Sequence, residues 1–273
     1  MEYSNKNKNI IYPDLNKCTV AIIGLGYVGL PLAIEFAKKR KCILTGELLE
    51  RKIIGFDINK ERLKELKKGF DKTNEISNNQ LNNVIFYNLT SDIKSISIAD
   101  VFIISVPTPI NNLKEPDLSA LKSASITVGK ALKIKKNSNK DSNNASPVII
   151  FESTVYPGTT EDICVPIIEE ESGLYLNNEK EISHFSFGYS PERINPGDKK
   201  HTLVDIKKIT SGNNETTTKW ITNFYGSIIK AGIYEAQSIK VAEAAKIIEN
   251  TQRDINIALV NEFAIIFKLM DID

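Results

Sequence analysis

The sequence predicts an α/β fold: a doubly wound parallel sheet followed by one long helix. Three observations predict it. Short apolar runs of strand length alternate with longer stretches whose apolar residues recur every three or four positions. That alternation argues for parallel strands joined by crossover helices. The polar motifs fall where the apolar runs stop, at positions 24–29, 57, 107–109, 152–154 and 190–193. In an open parallel sheet those carboxyl ends line the ligand crevice. Last, positions 239–270 keep a helical pattern with little interruption.

Composition sets the outer bounds. A chain of 273 residues can bury a sizeable core. Its 41% hydrophobic and 25% charged residues are those of a globular protein. A formal net charge of +1 gives no case for nucleic acid or an anionic membrane. No apolar run reaches 18 residues, and positions 1–17 lack a signal-peptide core. A cytoplasmic protein is expected. Cys18, Cys42 and Cys164 are scattered, which suits reduced thiols and no metal site.

Taken in order, residues 1–16 read as a flexible arm, rich in Asn and Lys. Val20 to Ile23 reads as a buried strand. Gly24, Gly26 and Gly29 follow at G-x-G-x-x-G spacing, and a helix covers about 30–40. Gly24 permits the turn, Gly26 lets backbone approach a pyrophosphate, and Gly29 lets helix pack on strand. The pyrophosphate would sit on the free N–H groups of the helix N-terminus. Positions 41–52 read as an insertion, with a turn at Thr45-Gly46 and a short helix over 47–50. A second strand ends in Asp57, placed to bind both ribose hydroxyls and to disfavour a 2′-phosphate, hence NAD. Asp57 lies 28 positions past Gly29, beyond the usual ~20. The insertion accounts for the excess.

Asn59 caps a helix with Leu63 and Leu66 inside and Gly69 as its stop. Further strands are expected at 85–87, 100–106, 147–151, 185–189 and 208–210. Helices are expected from Asp117 past Val128, over 159–171 and over 216–225. Positions 133–146 are low-complexity Lys, Asn and Ser and read as a flexible surface loop. Residues 17–235 thus form an NAD-binding Rossmann domain and 236–273 a central helix.

Five motifs carry a resemblance: 20–32 with its glycines, Ser105-Val-Pro-Thr-Pro109, Glu152-Ser-Thr-Val-Tyr-Pro-Gly158, Ser190-Pro-Glu-Arg-Ile-Asn-Pro-Gly197, and Ala242-Glu-Ala-Ala-Lys-Ile-Ile-Glu-Asn250 with Asn261-Glu262. They resemble the UDP-glucose/GDP-mannose dehydrogenase family. Within it they look most like the UDP-N-acetylhexosamine 6-dehydrogenases of capsule and O-antigen synthesis, of the Vi-polysaccharide type. The resemblance implies oxidation of the C6 alcohol of a UDP-sugar to a carboxylate with two NAD in succession. Tyr27, Val28, Asp57, Arg62, Thr108 and Thr154 match NAD-contacting positions. Glu192 matches an acid/base, and Arg193 and Ile194 match substrate contacts. Lys246 and Asn250 match the catalytic Lys-x-x-x-Asn pair, and Arg253 a substrate-binding arginine. Ser-Pro-Glu-Arg, in place of Ser-Pro-Glu-Phe, points to an acetamido sugar.

The chemistry of these residue types agrees. Lys246, Asn250 and Arg253 at i, i+4 and i+7 share one helix face. An ammonium and an amide there could stabilise an alkoxide. Thr154 and Glu192 at neighbouring strand ends could hold and deprotonate a water. In plainer terms, Arg193 bridges a neighbouring acid, Glu152 is a helix-cap acceptor, Cys164 sits on an outer helix and Trp220 packs its own helix. His184 and His201 match no motif.

The resemblance also implies parts not expected here: a Gly-Gly-His-Cys segment bearing the nucleophile, and a C-terminal UDP-binding domain. A homodimer through the central helix is expected, because Ile255, Leu259, Phe263 and Ile266 form an apolar stripe. Alternatives stay open: one half of a split dehydrogenase, a non-catalytic NAD-binding remnant, or a Rossmann dehydrogenase acting on a small hydroxyacid.

Overall fold

The structure, a computed structural model, describes residues 10–38, 40–138, 145–176, 185–193 and 203–272. In chain order its elements are β1 (Thr19–Ile23), α1 (Gly29–Ala37), β2 (Lys52–Phe56), α2 (Lys60–Lys67), α3 (Asn78–Asn82), β3 (Asn88–Thr90), α4 (Ile93–Ile96), β4 (Val101–Ile104), α5 (Ser119–Ser138) and β5 (Val148–Phe151). A π-helical stretch, Thr160–Cys164, then runs into α6 (Val165–Ser172). β6 (Ser186–Tyr189), β7 (Lys208–Gly212), α7 (Glu215–Gly226), β8 (Ile233–Glu235) and α8 (Ile239–Leu269) complete it.

The strands form one sheet in the order β3-β2-β1-β4-β5-β6-β7-β8. β3 through β6 are parallel. β7 runs antiparallel to β6, and β8 is parallel to β7. The expected parallel sheet thus carries a reversed edge. Its central strands are buried on both faces, which is why they read as unbroken apolar runs. Val20, Ile22, Ile103 and Ile150 face one layer with Leu30, Ile34 and Phe224. Ala21, Ile23, Phe102 and Ile149 face the other with Leu121, Val128 and Ile168.

Asn59 accepts from the Glu61 and Arg62 amides and caps α2, as its side chain predicts. Elsewhere the structure departs from the sequence reading. The third strand lies at 88–90 and not 85–87, because only Leu89 turns inward while Ile85 is 79% exposed. Residues 47–50 are not helical. Lys41 pairs with Leu48 across a turn in which the Glu47 carbonyl accepts from the Cys42 amide, so the backbone groups are met across the turn and not along a helix. The Ile43 amide ties this insertion to the Ser227 carbonyl. Residues 133–138 are not loop but the end of α5, whose Lys135 bonds the Ala99 carbonyl and Asp100, each at 3.1 Å. Residues 139–144 lie outside the described ones. α3, α4 and β8 are too short to leave a period in the sequence.

Residues 1–9 of the arm lie outside the described ones, but from Ile10 the chain is docked. Tyr12 stacks on Trp220 and meets Thr217 at 2.9 Å, and Trp220 Nε1 donates to the Pro13 carbonyl. The aromatic anchor overrides the polar composition there. Among the described residues no helix is long and apolar enough to cross a membrane. Trp220 also stacks on Phe224. Trp220→Ala is expected to cost about 3 kcal/mol, read from the shift of the urea unfolding midpoint.

Candidate active site

A cleft of about 400 Å³ opens where the carboxyl ends of β1, β4, β5 and β6 meet α8. Gly24 turns the chain out of β1 at φ +91°, in the left-handed region that favours glycine. A Cβ on Gly29 would lie 1.9 Å from the Gly24 carbonyl oxygen, so the loop closes only on glycine. Ser105 Oγ, at the end of β4, staples the turn by donating to the Gly24 carbonyl at 3.0 Å. Gly26 differs: a Cβ there would meet nothing within 4 Å. With Tyr27 and Val28 it lines the cleft. α1 starts with no side-chain cap and no acidic residue in its first turn. Its N–H groups and dipole are therefore left for an anion. This open, uncapped cradle fits the pyrophosphate of a dinucleotide.

Asp57 and Arg62 meet at Leu25, inside the glycine loop. Asp57 Oδ2 accepts from the Leu25 amide at 2.9 Å, and Arg62 Nε donates to the Leu25 carbonyl at 2.9 Å. Asp57 sits at the tip of β2, where a ribose would lie, and its carboxylate keeps acceptor capacity. Arg62 is buried and does not reach the cleft. Its guanidinium is held by Asp71 at 2.7 Å and Thr73. Burial pushes Asp71 up, but hydrogen bonds from Thr73, the Ile76 amide and Arg62 outweigh it and hold the carboxyl below its usual range. Here Arg62 shapes the loop from behind, which corrects its expected place against the cofactor.

Thr108 and Thr154 line the cleft and are joined, Thr108 Oγ1 donating to the Thr154 carbonyl at 2.6 Å. Glu192 lines it from the end of β6, and Lys246, Asn250 and Arg253 line it from one face of α8. Helix α8 is fixed by Glu243, fully buried, whose carboxylate accepts from the amides of Gly158 at 2.6 Å and Thr160 at 2.9 Å. Lys246 donates Nζ to the Glu192 carbonyl, and burial lowers its pKa. Arg193 does not face the cleft. It forms a two-pronged pair with Glu249 at 2.9 and 3.1 Å, as the plainer expectation had it, and Arg253 joins the same carboxylate at 3.3 Å. Ile194, His184 and His201 lie outside the described residues. None of the three cysteines lines the cleft, and Cys164 is fully buried, not on an outer face.

Sequence reasoning missed the group behind Glu192. Glu152, 2% exposed, is no helix cap. It accepts from the Tyr225 hydroxyl and pairs with Lys208 Nζ at 3.1 Å. Lys208 is itself 3% exposed. A lysine and a tyrosine on an edge strand and an outer helix give no sign in sequence that they converge. Glu249 and Glu243 were missed likewise; only their helical spacing from Lys246 and Asn250 could have shown them.

An NAD-binding Rossmann domain with a long helix closing one side of its crevice defines the class. Residues 18–229 match the NAD-binding domain of the UDP-glucose/GDP-mannose dehydrogenase family and residues 240–273 its central domain. The chain belongs to that family. It is 50% identical over 259 residues to the UDP-N-acetyl-D-glucosamine 6-dehydrogenase of Salmonella typhi, covering 95% of this chain and 55% of that protein. Its identity to the UDP-N-acetyl-D-glucosamine 6-dehydrogenase of Pseudomonas aeruginosa is 48%, covering 93% and 54%. Among solved structures, the UDP-D-ManNAc dehydrogenase of Pyrococcus horikoshii superposes with a TM-score of 0.73 at 33% identity, covering 91% of this chain and 53% of that one. The chain spans about half the length of the curated relatives it matches.

Burial, with the Glu192 charge beside it, raises the Glu152 pKa above 4.5, although Lys208 and Tyr225 pull it down. A carboxyl raised in the folded state stabilises the fold as the neutral acid. That contribution is complete below pH 4.5 and drains as pH climbs through the raised value. Glu152→Gln is neutral throughout. Its thermal midpoint, relative to wild type, therefore rises between pH 4.5 and neutrality; a constant difference rejects the raised value.

Proposed function

We propose that the protein takes part in NAD-dependent oxidation of the C6 alcohol of a UDP-N-acetylhexosamine to the uronic acid, in the cytoplasm and for capsule or O-antigen polysaccharide. The observation that carries the reading is the convergence of Thr154, Glu192, Lys246 and Asn250 on the cleft beside the glycine loop. Family membership and the names of the relatives support the substrate class.

When bound, NAD supplies a hydride acceptor. Gly26 and the open turn of α1 receive its pyrophosphate, and Asp57 the ribose hydroxyls. Lys246 spends one N–H on the Glu192 carbonyl and keeps two for an oxygen in the cleft. With the Asn250 amide it holds the C6 oxygen as negative charge develops. Glu192 takes a proton from a water that Thr154 helps to hold. Arg253 meets the substrate from the next turn of α8. A thiol for the second oxidation is not offered to this cleft by Cys18, Cys42 or Cys164.

NADH formation is the test, with NAD and a UDP-N-acetylhexosamine given to the purified protein and NAD binding followed by calorimetry. Asn250→Ala is expected to lower kcat about 10²-fold with NAD affinity unchanged. NAD binding with no NADH would reject the reading in favour of a non-catalytic NAD-binding chain or one half of a split enzyme. Asp57→Ala is expected to narrow the preference for NAD over its 2′-phosphate.

We further propose that α8 pairs with a second copy. Ile255, Leu259, Phe263 and Ile266 are exposed along one side of it at helical spacing, with Phe263 stacked on Phe267. Sedimentation is expected to show a dimer that Phe263→Glu dissociates; a monomeric wild type overturns the pairing.

A further inference from the structure

Lys208 is the least expected charge in the molecule. It opens β7, the strand that reverses the sheet, and its side chain is buried beneath the turn that leaves β6. A lone buried ammonium is costly, and a buried ion pair is a weak source of stability. Its contacts show what it does there. Nζ lies 3.4 Å from the Ser190 carbonyl and 3.4 Å from that of Pro191. The same atom is 3.1 Å from Glu152 Oε2 and 4.0 Å from Glu192 Oε2. Tyr225 holds Glu152 from α7 and places its ring under the ammonium, 4.8 Å from Nζ. From the opposite side Lys246 takes the Glu192 carbonyl. Three successive carbonyls, at 190, 191 and 192, are thus taken by two lysines from two different elements.

We propose that Lys208 is a positioning residue for Glu192: its ammonium gathers the Ser190 and Pro191 carbonyls and the carboxylates of Glu152 and Glu192, and so fixes the turn that presents Glu192 to the cleft. The inference rests on the reading of Glu192 as the proton acceptor. Glu152 and Tyr225 complete the unit by orienting Lys208, since Tyr225 is pushed well above its usual range by burial and by Glu152 and stays a donor. Glu192 is then held at both ends. Its carboxylate faces Lys208 and accepts the Arg193 amide at 2.6 Å, and its carbonyl meets Lys246.

The test uses two variants. Lys208→Met leaves Glu152 buried without its cation and is expected to lose stability. Lys208→Met with Glu152→Gln removes both charges of the pair and is expected to fold with near wild-type stability. The readout is the Arg193 amide in protein labelled with 15N-arginine, which carries only five arginines. That proton reports the short bond to the Glu192 carboxylate. In the double variant it is expected to move upfield while the Arg40, Arg51 and Arg62 amides stay in place. Turnover is expected to fall about 10²-fold with the NAD KM unchanged. An Arg193 amide at its wild-type position in the double variant overturns the proposal and leaves Lys208 as a counter-ion to Glu152 alone. If wild type forms no NADH from the UDP-sugar, the functional reading falls, and the Arg193 amide still decides the role of Lys208.

Discussion

The carboxylate of Glu243 holds the site together. A parallel sheet leaves its strand ends open on one side, and nothing in the sheet itself closes that side. Here closure comes from α8, whose first turns are anchored where Glu243 accepts two backbone amides in the turn after β5. Those amides belong to the start of a helical segment and have no intrahelical acceptor. A carboxylate at that point satisfies them and meets the positive end of the segment's dipole. Burial and the nearby Glu161 raise the Glu243 pKa, while the amides of Thr160 and Gly158 pull it down. With that end fixed, the period of the helix places Lys246, Asn250 and Arg253 over the cleft.

The cleft itself is built in two tiers. The outer tier is open and polar, and consists of the glycine loop, Thr108, Thr154 and the α8 face. The inner tier is nearly dry, with Glu152, Lys208 and Tyr225 packed between β5, β7 and α7. Glu192 is the member shared by both. Reversal of β7 makes this possible, because an antiparallel neighbour starts where β6 ends and brings Lys208 to that point. A parallel strand in the same place would begin at the far edge of the sheet.

Much of this was legible in the sequence, and the limits have physical causes. Central strands could be read because burial on both faces leaves continuous apolar runs, and the glycine turn because sterics admit no other residue at Gly29. Lys246, Asn250 and Arg253 could be placed together because helical spacing is local information. Arg62 could not be assigned its place from a motif, since whether its guanidinium points at the cleft or at the Leu25 carbonyl depends on Asp71, nine positions on. The Glu152, Lys208 and Tyr225 cluster joins three elements far apart in sequence, and pairing of that kind leaves no period to read. At 85–90 the alternation was present but the register was taken one unit too early, as happens on an edge strand with a single inward side chain.

The π-helical stretch at Thr160–Cys164 carries a different lesson. A π turn holds one residue more than the α turn it replaces, and it lies between the Glu243 anchor and α6. Downstream, α6 packs closely on α5, with a Cβ on Gly129 lying 2.6 Å from that of Glu171. Removing one residue from the stretch would relax it to ordinary α geometry and rotate everything after it by roughly 100° about the helix axis. Ile168 would leave the core and a glutamate would enter it. In this segment the number of residues is constrained as tightly as their chemistry, so the region tolerates substitution far better than a change of length.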